Sequence, residues 1–67
     1  MDANLHSPHR QLIELRIEHG DLDAMIDRAV DDPSTDELTL RRLKKRRLAL
    51  RDRIAALQVA LEPPEPA

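Results

Sequence analysis

Apolar residues recur at alternating spacings of three and four along two stretches of the chain. We refer to these rows as the first seam and the second seam. The first seam consists of Leu12, Leu15, His19, Leu22, Ile26 and Ala29. The second consists of Leu40, Leu43, Arg47, Leu50, Ile54, Leu57 and Leu61. This spacing places each row on one face of a helix, as in the a and d positions of a coiled coil. The pattern therefore predicts two long helices.

The ends of these helices carry recognisable signals. Ser7 can cap the first helix, and Pro8 fits its first turn because no hydrogen bond is lost there. Pro33 disfavours helix at the residue before it. Ser34 and Glu37 then fit a capping box, with Ser34 as the cap. The predicted organisation is a lead at 1–7, helices at 8–30 and 35–61, a loop at 31–34 and a disordered, Pro-rich tail at 62–67.

A loop this short makes the two helices antiparallel neighbours with facing seams. The preferred register sets Ile26 beside Leu43, Leu22 beside Arg47 and Leu15 beside Ile54. A tighter register would centre the turn on Asp31 and bend the chain before the proline. The predicted fold is therefore all-α, an antiparallel two-helix hairpin that resembles a coiled coil. Gly20, inside the first helix, costs about 1 kcal/mol relative to alanine.

His19 and Arg47 are the polar members of the two seams, and we expect both in the core. His19 has two interpretations. It could act as a pH switch, since histidine titrates near neutrality. The favoured interpretation is a seam residue partnered by a carboxylate such as Glu18 or Asp23, which sets register as polar core residues do in coiled coils.

Several large apolar residues lie off both seams. They are Ile13, Ile17, Met25, Val30, Leu38, Leu48 and Val59. A chain of 67 residues buries only about 60% of its unfolded surface, so its core is thin. We therefore expect self-association into a helical bundle, as a homodimer or larger, and an unidentified protein partner. Ile13, Ile17 and Leu48 are the candidate apolar contacts.

Charge is divided between the two halves of the chain. Acids dominate from Glu14 to Glu37 and bases from Arg41 to Arg53. The chain as a whole has a net charge of −2. The hairpin lays these blocks side by side, so the bases that flank the second seam are expected to be largely paired. Those bases are Lys44, Arg46, Arg51 and Arg53. The bases expected to stay free, as candidate interaction residues, are Arg41, Arg42 and Lys45.

The basic block has three interpretations: nucleic-acid binding, binding to an acidic membrane surface, or a solvated flank neutralised by the acids. The last is favoured, because the sequence pI of about 5.8 is far below the value of about 9 that is typical of nucleic-acid-binding domains. The absence of Phe, Tyr and Trp also removes any aromatic surface for base stacking.

Composition argues against other chemistry. Without cysteine there is no disulfide and no thiolate zinc site. His6 and His9 have only Asp2 nearby, too few ligands for a metal. The hydroxyls of Ser7 and Ser34 are explained as caps, and no glycine-rich loop exists. We expect no enzyme activity, cofactor or metal. No apolar run is long enough to span a membrane, and the start of the chain lacks the form of a signal peptide, so the expected location is cytoplasmic.

Two blocks of the chain resemble the small bacterial YdcH family, whose pattern is H-x-x-L-D-x-x-I followed by L-K-K-x-K-L-x-L-K-D-x-I. The matching residues are His19, Leu22, Asp23, Ile26, Leu43, Lys44, Lys45, Leu48, Leu50, Asp52 and Ile54. Arg47 and Arg51 replace two lysines of the pattern and keep their charge. The resemblance implies a helical hairpin of unknown function and brings no activity. The sequence thus predicts a protein interaction or oligomerisation module. The alternative is a nucleic-acid-binding protein that uses the basic face of the second helix.

Overall fold

The computed structural model describes residues 7–62 and contains two α-helices joined by a short loop. Helix α1 is Pro8–Asp31 and helix α2 is Glu37–Leu61. The two helices pack against each other along their length. The predicted all-α hairpin is therefore confirmed, whereas self-association stays a prediction.

The helices run antiparallel. Near the loop, Leu22 and Met25 of α1 border the same groove as Leu43 of α2. At the opposite end, Leu12 of α1 and Leu61 of α2 border a second groove. The end of one helix therefore lies beside the start of the other, as the short loop requires.

The two seams form the contact between the helices. The buried residues are Leu15, Leu22, Ile26 and Leu50. Around them pack the partly buried residues Leu40, Leu43, Ile54 and Leu57. Every predicted seam position is buried or half-buried. The spacing of apolar residues therefore identified the interface between the helices correctly.

Helix α1 begins as the sequence predicts. The Ser7 side chain accepts a hydrogen bond from the Arg10 backbone N–H at 3.1 Å, and Pro8 occupies the first turn. Gly20 lies in the interior of α1 without a positive φ. A Cβ atom added there would meet nothing within 4 Å. The hairpin itself therefore gives no steric reason for glycine at this position.

The predicted cap of α2 was wrong. The helix begins at Glu37, two residues later than expected, and its cap is Asp36. The Asp36 carboxylate accepts a hydrogen bond from the Thr39 backbone N–H at 2.7 Å. Hydrogen bonding with the Thr39 side chain, and then with its backbone, lowers the pKa of Asp36. Asp36 thus satisfies an N–H group that has no partner within the helix.

Ser34 cannot cap α2 because it is part of a turn. The Thr35 N–H donates to the Asp32 carbonyl at 3.0 Å, which closes a β-turn with Pro33 in its second position. The Ser34 hydroxyl and N–H both donate to the Asp32 carboxylate, at 2.7 and 2.9 Å. These two bonds, that of the side chain first, lower the pKa of Asp32.

The remaining predicted bounds differ little from those observed. Helix α1 ends at Asp31 rather than at residue 30, so the loop is residues 32–36 and its midpoint is Ser34. That midpoint fits the preferred register and not the tighter one centred on Asp31. Most of the predicted lead and tail lies outside the described residues.

Candidate functional site

A polar cluster of His19, Asp23 and Arg47 interrupts the apolar contact between the helices. Arg47 of α2 donates from Nη1 to Oδ1 of Asp23 on α1, at 2.9 Å. The other oxygen of Asp23 lies 3.5 Å from His19 Nδ1, one turn earlier on the same helix. Asp23 therefore lies between the two polar seam residues and contacts both.

The other ring nitrogen of His19 has no such partner. Nε2 is buried and has no hydrogen-bond partner among the described residues, and an unpartnered buried polar group costs roughly 1–3 kcal/mol. The His19 side chain as a whole is 22% exposed, so it lies at the edge of the contact rather than deep within it. This cluster is better suited to fixing register than to adding stability.

The sequence identified part of this cluster. Asp23 was a candidate partner for His19, but its bond to Arg47 was not anticipated. A signal was present, because the preferred register set Arg47 beside Leu22 and Asp23 is the next residue. Predicting which of two adjacent residues reaches the guanidinium requires the side-chain geometry.

A second ion pair joins the helices nearer the solvent. Arg46 Nη2 lies 3.3 Å from Glu18 Oε1, and both side chains are exposed to solvent. Pairs of this kind contribute at most about 1 kcal/mol. Within α1, Arg10 pairs with Glu14 at 3.3 Å. Glu14 thus pairs within its own helix and not with a base of α2.

The basic block is less neutralised than the sequence suggests. In the described part of the chain, only Arg46 and Arg47 of α2 form ion pairs with α1. The expected pairing of Lys44, Arg51 and Arg53 was wrong. The candidate bases Arg41, Arg42 and Lys45 are exposed and without an ion pair among the described residues, as are the three flanking bases.

The apolar candidates lie on outer faces of the hairpin. Ile13 and Ile17 are 59% and 60% exposed on α1, and Leu48 is 56% exposed on α2. Ile13 and Ile17 are one turn apart, so they form a continuous apolar surface on the side of α1 that faces away from α2. Leu48 is isolated, since the residues one turn away are charged: Lys44, Lys45, Arg51 and Asp52.

The grooves found in the described region are open to solvent, and the one beside Leu12 and Leu61 has a volume of about 410 Å³. The groove beside Leu22 and Leu43 has a volume of about 140 Å³ and is rimmed by Glu18, Asp21 and Arg46. Residues 7–62 contain no group of His, Asp and Glu side chains that could hold a metal ion. His6, considered as a ligand from the sequence, lies outside that range. Within that range, too, neither helix has the length and apolar character needed to cross a membrane.

These features define a small helical-hairpin protein with a polar cluster between its helices. The family described as a protein of unknown function (DUF465) matches residues 5–58, and the chain belongs to this family. YdcH-like proteins are members of it, so the resemblance carried by the two sequence blocks is confirmed. No curated protein matches the chain, and no solved structure does.

Proposed function

We propose that this hairpin is a protein interaction module that self-associates through apolar residues outside its seams. The observation that carries the proposal is the exposure of Ile13 and Ile17, about 60% each, on the side of α1 that α2 does not cover. Removing apolar surface from water is favourable by roughly 25 cal/mol per Å². A contiguous apolar surface on a small protein is therefore a reason to associate.

The thinness of the core supports the same proposal. The buried residues form a single row between two helices: Leu15, Leu22, Ile26 and Leu50. Domains this small usually need a disulfide, a metal or oligomerisation to be stable. The chain has no cysteine. A second copy packed on the first would extend the single layer into a helical bundle.

The proposal assigns binding and no reaction. The hydroxyls of Ser7 and Ser34 are engaged, one as the cap of α1 and the other with Asp32 in the turn. The polar cluster lies in the contact between the helices, where Arg47 donates a hydrogen bond to Asp23. We therefore propose a module without enzymatic activity or cofactor, and keep the cytoplasm as its expected location.

Sedimentation velocity over a wide concentration range tests the proposal. The mass should rise above the 7.7 kDa of one chain as the concentration reaches the micromolar range. The thermal midpoint should rise with protein concentration as well, because association stabilises the folded state by mass action. A constant mass of one chain, with a midpoint independent of concentration, would show that the module does not self-associate.

Nucleic-acid binding is the second candidate, and the unpaired bases of α2 favour it. They do not form one surface, however. Arg41, Lys44 and Arg51 lie on one side of the second seam, whereas Arg42 and Arg53 lie on the other. A phosphate backbone that follows one side of the hairpin meets only part of the charge. Binding to DNA or RNA that weakens with salt would separate this candidate from the first.

A further inference from the structure

Helix α1 carries a second periodic row on the face opposite its seam. We refer to it as the outer stripe, and it consists of Arg10, Ile13, Ile17, Gly20, Ala24 and Asp27. Its spacings alternate between three and four residues, as the seams do. All of its members are exposed in the hairpin. The stripe therefore has the geometry of a helix–helix contact but no helix packed on it.

Gly20 is an unexplained feature of this stripe. Glycine weakens the interior of a helix relative to alanine, and here neither a positive φ nor a close neighbour requires it. Together with Ala24 it leaves a shallow notch next to the bulky side chains of Ile13 and Ile17. If a second helix packed on this face, the absence of a side chain at Gly20 would let it approach closely.

The order of residues along the stripe makes it complementary to a second copy of the stripe that runs in the opposite direction. From one end to the other it reads basic, large, large, small, small, acidic. If a second copy of α1 packs antiparallel, Ile17 faces the partner's Gly20 and Ile13 faces the partner's Ala24. At each end, Arg10 faces the partner's Asp27. A parallel pairing would instead bring like charges together.

We infer that two copies of this chain form a symmetric dimer in which the outer stripes of their α1 helices pack antiparallel. The two-fold axis crosses the pair at the level of Glu18 and His19. This inference rests on the proposed self-association and specifies its surface and geometry. The hairpins then lie side by side with the two α1 helices in the centre and each α2 on the outside.

The extent of the contact sets its expected strength. At 1.5 Å per residue, the stripe from Arg10 to Asp27 is about 26 Å long. One helix–helix face lies at the small end of protein interfaces, so we expect a dissociation constant on the order of micromolar. The Arg10–Glu14 pair is exposed, and such pairs are weak. The pair with Glu14 therefore does little to prevent Arg10 from turning toward Asp27 of the partner.

A charge swap tests the antiparallel geometry. Arg10→Asp and Asp27→Arg each place like charges at both ends of the dimer, and each should weaken dimerisation about tenfold. The double variant should recover the dimer of the unmodified chain. An equimolar mixture of the two single variants should also associate, since each heterodimer then has opposite charges at both ends. Asp52→Arg, which changes an exposed acid of α2 away from the stripe, is the matched control.

A second substitution tests the notch. Gly20→Leu adds a side chain where the hairpin is open, so each variant chain should remain helical by circular dichroism. The added bulk should collide with the partner's Ile17 and abolish dimerisation. Ala55→Leu adds a similar side chain at an exposed position of α2 and should leave the dimer intact.

The outcomes separate this inference from the broader proposal. If the unmodified chain dimerises but the mixture of single variants does not recover association, the antiparallel α1 contact is wrong and self-association stands. The same conclusion follows if Gly20→Leu dimerises normally. If the unmodified chain stays a monomer at every concentration, both the inference and the proposed self-association are wrong.

Discussion

The Asp23 carboxylate of α1 holds the Arg47 guanidinium of α2, with Oδ1 and Nη1 2.9 Å apart. Arg47 occupies a seam position where an apolar residue would otherwise pack. In the tighter register Arg47 would lie beside Leu15 and Arg16. Neither side chain can accept a hydrogen bond, and Arg16 carries the same charge as Arg47. The pair therefore selects one register out of those that the apolar spacing allows.

A double-mutant cycle with Asp23→Asn and Arg47→Met should measure this pairing. We expect a coupling energy of about 0.5–1 kcal/mol, because both side chains are partly exposed and water screens them. The coupling should shrink in about 1 M salt. Urea unfolding followed by circular dichroism, at one fixed protein concentration, gives the four free energies of unfolding.

The exposed pair of Arg10 and Glu14 provides the comparison, since it lies within one helix and should couple less strongly. Additive effects of Asp23→Asn and Arg47→Met, with no change in salt, would mean that the bond does not contribute to the stability of the hairpin in solution.

The apolar spacing predicted the seams because it samples many residues at once. Every seam residue is at least half-buried, and Ile13, Ile17 and Leu48 are exposed as expected. The ion pairs were predicted less well, because each depends on which of several nearby groups a long side chain reaches. Glu14, for example, pairs within α1 rather than across the hairpin.

Aspartate substitutions on α2 should distinguish the seam from the outer face. Leu50 is 5% exposed and Leu48 is 56% exposed. Leu50→Asp buries an unpaired charge, which costs several kcal/mol against a total stability of about 5 kcal/mol, so the hairpin should unfold. Leu48→Asp should remain helical. Circular dichroism measures both, and equal loss of helix in the two variants would contradict the division into seam and outer face.

The same pair of variants also tests where copies meet. Dimerisation through the outer stripe of α1 leaves Leu48 outside the contact, so Leu48→Asp should sediment like the unmodified chain. Loss of association in this variant, with the helix preserved, would move the interface to α2 and restore Leu48 as a contact residue.

The cap of α2 should make stability depend on pH in the acid range. Hydrogen bonding with Thr39 lowers the pKa of Asp36 in the folded state. A carboxyl group whose pKa is lowered by folding stabilises the fold above its unfolded pKa, and this stabilisation is lost as pH falls through the folded value. Asp36→Asn keeps a capping oxygen without the charge. At neutral pH the variant should therefore melt at a lower temperature than the unmodified chain.

Thermal melts at decreasing pH provide the measurement. The difference between the two proteins should narrow as pH falls below the ordinary range of an aspartate and should vanish once Asp36 is protonated. A difference that persists unchanged into strong acid would show that the charge of Asp36 is not what stabilises the start of α2.

The loop shows why local sequence signals did not identify this cap. Ser34 and Asp36 are both good capping residues, and each is followed three positions later by a residue whose N–H needs an acceptor. The choice between them depends on Asp32, whose carboxylate binds the Ser34 hydroxyl and N–H. The pattern around Ser34 contains no sign of that competition.

Nucleic-acid titrations decide between the two proposed functions. A duplex or single strand that follows one side of α2 meets about three or four of its unpaired bases, among them Arg41 and Lys45. That contact predicts a log–log salt slope of about −3 to −4 and weak binding. No aromatic side chain is present to add stacking. We therefore expect no detectable binding in the micromolar range at about 150 mM salt.

Fluorescence anisotropy with labelled DNA and RNA is sufficient to measure this binding, with Arg28→Ala on α1 as the control. Sub-micromolar binding that is lost when Arg41, Arg42 and Lys45 are all replaced by alanine, but kept in Arg28→Ala, would overturn the interaction module in favour of nucleic-acid binding.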